Sequence, residues 1–68
     1  MGNVWTMTKD LRRMTCALST HPLGWELRVS LGSEFVRSQV CRHEDDVFKT
    51  AETWKSDATP QGWTDSNR

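Results

Sequence analysis

Between Gly24 and Gly32 the chain reads Trp-Glu-Leu-Arg-Val-Ser-Leu, with Trp25, Leu27, Val29 and Leu31 on one parity and Glu26, Arg28 and Ser30 on the other. Alternation of this kind suits a strand that buries one face and wets the other, because successive side chains leave a strand on opposite sides. A helix would scatter these apolar residues around its whole circumference. The chain therefore contains a half-buried sheet, and the neighbouring segments are constrained by the need to pair with this strand and to cover its apolar side.

The preceding segment, Leu11 to Ser19, alternates as well, with Met14, Cys16 and Leu18 apolar and Arg13, Thr15 and Ser19 polar. His21-Pro22-Leu23-Gly24 joins the two runs, placing Pro second and Gly fourth as a type I turn favours. If His21 and Gly24 close the turn, Leu18 faces Leu27, Cys16 faces Val29 and Met14 faces Leu31, so one inner face serves both strands. After Trp25–Leu31, the pair Gly32-Ser33 fits a two-residue type II′ hairpin leading into a third strand, Glu34 to Cys41. That register sets Trp25 opposite Val40, Leu27 opposite Ser38, Val29 opposite Val36, and Arg28 opposite Arg37.

From Glu44 the period changes. Val47, Ala51, Trp54 and Ala58 recur at helical spacing with Phe48 beside them, and Glu44, Asp45 and Asp46 occupy the first turn, where carboxylates favour the helix dipole. Pro60 and Gly62 end the helix, and Trp63 is placed to fold back onto its last turn or the sheet edge. The expected fold is α+β, a three-stranded antiparallel meander packed on one C-terminal helix (βββα). Residues 11–63 form the single domain, 1–10 a flexible N-terminal arm and 64–68 a polar tail. Trp5 is the exception in the arm: its indole either folds back on the core or docks on a second subunit.

With 68 residues, apolar residues at 35% and charged residues at 26%, the chain has room for one domain with a thin core. Four tryptophans, Trp5, Trp25, Trp54 and Trp63, compensate for scarce aliphatic side chains. No apolar run approaches the length needed to cross a bilayer, and the amino terminus lacks a basic region followed by an apolar one, so a cytoplasmic protein without membrane contact is expected. Two cysteines, Cys16 and Cys41, are too few for a disulfide scaffold and read as reduced thiols.

The stretch Gly24-Trp25-Glu26-Leu27-Arg28, then Val36-Arg37-Ser38-Gln39-Val40, Ala51-Glu52, Trp54-Lys55 and Gly62-Trp63, resembles a group of short uncharacterised bacterial proteins over roughly residues 23–63. The resemblance implies a natural autonomous domain and brings no functional residues. The architecture is also similar to the three-stranded sheet plus helix of plant AP2-type and integrase arm-type DNA-binding domains, an analogy of fold alone.

Nine basic and nine acidic residues cancel, which removes any general attraction to polyanions. The charges are nevertheless segregated: residues 1–43 carry a net +3 and residues 44–68 a net −3. The expected outer sheet face holds Arg13, Arg28, Arg37 and Gln39, residue types that contact phosphates and base edges. Arg28 directly across from Arg37 is repulsive. Either an anion lies over the pair, or a carboxylate intervenes, or the register differs. The plain alternative is a solvated sheet face.

Cys41-Arg42-His43 sets a thiol near an imidazole at the start of the helix, but nothing in the sequence orients them as a catalytic pair. His21, His43, Cys16 and Cys41 lack metal-ligand spacing, and no phosphate loop or nucleophile motif occurs. No cofactor and no metal are expected. The sequence thus suggests a small non-enzymatic binding module contacting DNA or RNA through Arg13, Arg28, Arg37 and Gln39. The alternative is a protein-interaction or regulatory module using Trp5, Trp63 or a strand edge, with a homodimer expected from the exposed edges of so small a sheet. A small enzyme with an inter-subunit site ranks third.

Overall fold

A computed structural model describes residues 2–65 of the chain. Four consecutive strands, β1 (Gly2–Lys9), β2 (Arg12–His21), β3 (Gly24–Leu31) and β4 (Glu34–Cys41), lead into one helix, α1 (Glu44–Ala58). A single 3-10 turn, Thr59–Gln61, and a two-residue strand, β5 (Thr64–Asp65), follow. All neighbouring strands are antiparallel in one five-stranded sheet of order β4-β3-β2-β1-β5. The α+β class stands, but the expected three-stranded meander is corrected to this larger sheet. Of the expected polar tail, Thr64–Asp65 forms β5, and residues 66–68 lie outside the described residues.

The added strand is the segment expected to be a flexible arm. In β1, Trp5 pairs with Cys16 and Met7 with Met14, so both side chains lie on the core face, while Thr6 and Thr8 face outward beside Thr15 and Arg13. Threonine is β-branched and suits a pleated surface, so Trp-Thr-Met-Thr is a half-buried strand whose polar parity is also β-favouring. A bulge at Val4, between the pairs Asn3–Ala17 and Trp5–Cys16, breaks the alternation and hides the pattern. The β1–β2 connection is Asp10-Leu11, with Asp10 at φ 56°, a left-handed conformation that aspartate tolerates better than most residues.

The β2–β3 register is the expected one, including Met14–Leu31, Cys16–Val29 and Leu18–Leu27. The β3–β4 register begins as expected with Leu31–Glu34 and Ser30–Phe35, then shifts by one residue, so that Val29 pairs with Arg37 and Trp25 with Cys41. Val36 is the extra residue. Since side chains alternate with period two, one inserted residue exchanges the faces of everything after it. Arg37, Gln39 and Cys41 therefore lie on the helix side, and Ser38 and Val40 on the outer side with Phe35.

The core lies between one sheet face and α1. Met7, Cys16, Leu27 and Val29 meet Val47, Ala51, Trp54 and Ala58, with Trp5, Cys41 and Trp63 completing the cluster. Trp5 is fixed by chemistry as well as packing, since its indole Nε1 donates a buried 2.9 Å hydrogen bond to the Ala51 carbonyl. At the far end of α1, Gly62 takes φ 97°, and the Trp63 amide returns to the Ala58 carbonyl at 3.4 Å. This reversal swings Trp63 into the core and lays β5 beside β1, where Thr64 Oγ1 donates to the Thr8 carbonyl at 3.3 Å. Lys55 Nζ donates to Asp65 at 2.7 Å across the same junction, which raises the lysine pKa.

Candidate interaction surface

The helix covers one face of the sheet and leaves the other open. Strand pairing sorts the open face into rows: Thr6, Thr15, Ser30 and Phe35 in one; Ala17, Arg28 and Ser38 in the next; Ser19, Glu26 and Val40 in a third. Small and hydroxyl side chains fill its middle. The larger groups gather toward β4, where the Arg28 guanidinium lies 5.2 Å from the Phe35 ring centroid, a cation–π distance.

The four residues expected to meet nucleic acid are not brought together. Arg13 and Arg28 are on the open face, and Arg28 faces Ser38 rather than Arg37, so the anticipated like-charge clash does not arise. Arg37 and Gln39 are on the opposite face because of the bulge. The Arg37 guanidinium stacks over the Trp54 ring at 4.5 Å from its centroid, so its charge shelters an indole of the core edge. Trp5 and Trp63, expected at a protein interface, are buried within the chain's own core at 7% and 8% exposure.

The feature that sequence reasoning missed is β4 itself. Every residue from Glu34 to Val40 is exposed, and β4 pairs with β3 alone. Three large apolar side chains of this strand face solvent: Phe35 at 56%, Val36 at 49% and Val40 at 39%. At the opposite edge, the described residues of β5 pair with β1 at Met7 and Thr8. Long edges with apolar side chains and free backbone groups template further strand pairing, and proteins ordinarily guard them with charged side chains, proline, bulges or very short strands; β4 has Glu34, Arg37 and one bulge but neither lysine nor proline. The adjacent apolar pair Phe35-Val36 was the available signal, since two such residues side by side break a period-two pattern where a bulge breaks the ladder.

Two hollows adjoin this region. Between the Gly32 end of the sheet and the end of α1, an open cleft of about 170 Å³ is lined by Met14, Val29, Val36 and Trp54 with Arg37 and Asp57 at its polar side. That is smaller than the roughly 300 Å³ at which small-molecule sites begin. A shallower polar hollow lies where β4 meets α1, around Gln39, Arg42, His43 and Asp46. Within it Cys41 is buried, with Sγ 4.0 Å from Thr50 Oγ1. Among the described residues no three His, Cys, Asp or Glu side chains cluster as a metal site requires, and no helix is long and apolar enough to cross a membrane.

The second thiol reports on the core. Burial pushes the Cys16 pKa up to about 11 from the ordinary 9.0. The folded state thus resists thiolate formation, and this contribution to stability is complete below the ordinary thiol pKa and is lost as pH rises through the folded value. At about 1.4 kcal/mol per unit, with the titration incomplete at both ends of the window, the expected loss between pH ~9 and ~11 is about 2 kcal/mol. Urea midpoints of the wild type should fall over that interval more steeply than those of Cys16→Ala. Parallel profiles for the two proteins would refute the assignment.

No protein-family model matches the chain, and comparison with curated proteins and with solved structures finds no match to either.

Proposed function

We propose that this protein works by binding, and that its contact surface is the β4 edge with the adjoining strip of open sheet, presented to a protein partner that adds a strand. The observation that carries this reading is the exposure of every residue from Glu34 to Val40 on an edge strand bearing Phe35, Val36 and Val40. In strand addition, backbone hydrogen bonds supply affinity and alternate side chains supply selectivity. Phe35, Ser38 and Val40 would provide the selective groups on the open face.

The nucleic-acid reading retains Arg13 and Arg28, and the stacking of Arg28 on exposed Phe35 gives it a specific basis, because base stacking on aromatic side chains is common in single-strand recognition. Glu26 on the same face works against it.

One amide-shift titration separates the two. Extended peptides selected from a random library for binding to this protein should perturb the amides of β4 first, and Val40→Lys should weaken them about tenfold, equivalent to about 1.4 kcal/mol. Selected peptides that perturb only α1 or β5 would reject the reading. A mixture of duplex and single-stranded DNA and RNA should leave β4 unmoved. Binding to it that falls steeply with salt and is lost in Arg28→Ala would replace the protein partner with nucleic acid.

A further inference from the structure

We propose that the strand taken up by β4 belongs to a second copy of this chain, joined antiparallel across a two-fold axis through Gln39 to make one continuous sheet. This inference rests on the edge-binding reading and names its partner.

The position of the axis follows from the bulge. Beyond Val36, the run Arg37 to Cys41 pairs one-to-one with β3, from Val29 to Trp25, and Gln39 is its middle residue. Counting along the ladder from the two-residue loop Pro22-Leu23 gives the direction of the backbone groups. His21 and Gly24 form the closing hydrogen-bonded pair, so Leu27 directs its amide and carbonyl away from β2 and toward Gln39. Ser38 and Val40 consequently direct theirs to the free edge. With the axis through Gln39, Ser38 of each copy meets Val40 of the other, and each such pair exchanges both backbone hydrogen bonds. The two Gln39 residues face one another as a non-hydrogen-bonded pair, and each side-chain amide can donate to and accept from its copy.

The side chains agree with this arrangement. Antiparallel pairing about Gln39 sets Arg42 of one strand opposite Val36 of the other, whereas parallel pairing would set Glu34 on Glu34 and Arg37 on Arg37. About Gln39 the two Arg37 residues stand four positions apart, about 13 Å at the rise of a strand and beyond the ~8 Å screening length at physiological salt. The two Val40 side chains become diagonal neighbours on the open face, within reach of apolar contact. The symmetry also closes the assembly: two β4 strands consume one another across the two-fold axis, so this contact makes a pair and not a fibre.

Sedimentation equilibrium and cysteine cross-linking test the inference on the intact chain. At about 50 μM, a concentration that largely fills a dimer of micromolar affinity or better, the wild type should sediment at close to twice the chain mass. Gln39→Cys should oxidise to a covalent dimer, because facing residues of a non-hydrogen-bonded pair have Cα atoms about 4.5 Å apart, within disulfide span. Ser33→Cys at the exposed hairpin tip should not, since its copies would lie about 40 Å apart. Val40→Lys should weaken association at least about tenfold with the far-ultraviolet circular dichroism unchanged.

A single-chain mass, or a dimer that Val40→Lys leaves intact or that Gln39→Cys fails to cross-link, would overturn the inference. A single-chain mass accompanied by β4 amide shifts on peptide addition would remove the self-partner and leave the edge-binding reading standing. A single-chain mass without such shifts would remove both.

Discussion

Trp5→Ala should cost about 3 to 5 kcal/mol, the usual range for truncating a buried aromatic side chain. At roughly 0.05 to 0.15 kcal/mol per residue, a domain of this length has only about 3 to 10 kcal/mol in total. The variant should therefore be largely unfolded at physiological temperature. The effect is large because Trp5 couples two parts of the fold that are far apart in the chain: it is 7% exposed, packs in the main cluster, and its Nε1 bonds the Ala51 carbonyl in the middle of α1. Trp5→Phe separates the contributions. It keeps most of the apolar area and leaves Ala51 without the indole donor, so a loss of about 1 to 2 kcal/mol is expected, in line with one buried hydrogen bond. Urea unfolding followed by circular dichroism measures both. A Trp5→Ala midpoint close to that of the wild type would mean that β1 is not part of the cooperative unit.

Gly24→Ala should be nearly as damaging, for a reason that has nothing to do with the core. Gly24 has φ 142°, and a methyl group built there would stand 2.3 Å from the Cys41 carbonyl oxygen and 3.1 Å from the Arg42 Cα. Both atoms are backbone, so no side chain can rotate away. The end of β4 would have to separate from β3, undoing the Trp25–Cys41 pair. With about 1 to 3 kcal/mol for the backbone conformation alone and the steric displacement added, a loss of about 3 kcal/mol or more is expected. Cys41, now 3% exposed, should also become reactive toward a thiol reagent. Gly32→Ala is the control. Gly32 also has positive φ, at 63°, but nothing lies within 4 Å of the added methyl, so its cost should be limited to the left-handed penalty of about 1 to 2 kcal/mol. Equal losses at the two glycines would show that the contact with Cys41 is not what forbids a side chain at position 24.

The contrast between these glycines also bears on what could be read without coordinates. The centre of the sheet was legible: alternation in β2 and β3, with a Pro22-Leu23 loop that admits one pairing, fixes Leu18–Leu27 and Cys16–Val29 without further information. So was α1, because Val47, Ala51, Trp54 and Ala58 carry a helical period over about three turns. Both failures sit at bulges, where local pattern and ladder part company. In β1 the extra Val4 put two apolar residues in succession, and the threonines that followed counted as polar when they are strong strand formers.

In β4 the same device reversed the outcome for the candidate site. Arg37 and Gln39 were assigned by parity from Gly32-Ser33, and parity is lost at the first inserted residue. Arg28, which lies on a strand without irregularity, was placed on the correct face. The even alternation of β3 gives no hint that its neighbour has gained a residue, and the adjacent apolar pair Phe35-Val36 is the one mark of it in the sequence of β4.

Val36 consequently sets the chemistry of two surfaces at once. It turns one guanidinium inward to cap Trp54 and leaves Phe35, Ser38 and Val40 on the open side. Taken into the ladder opposite Val29, that residue would make the pairing even, carry Arg37 and Gln39 outward beside Arg28, and withdraw Val40. The same chain paired without the bulge would keep its topology while exchanging a greasy, hydroxyl-bearing rim for a cationic one. Whether the ladder takes in or leaves out one residue of this hairpin, as much as which side chains it carries, decides what such a surface can hold.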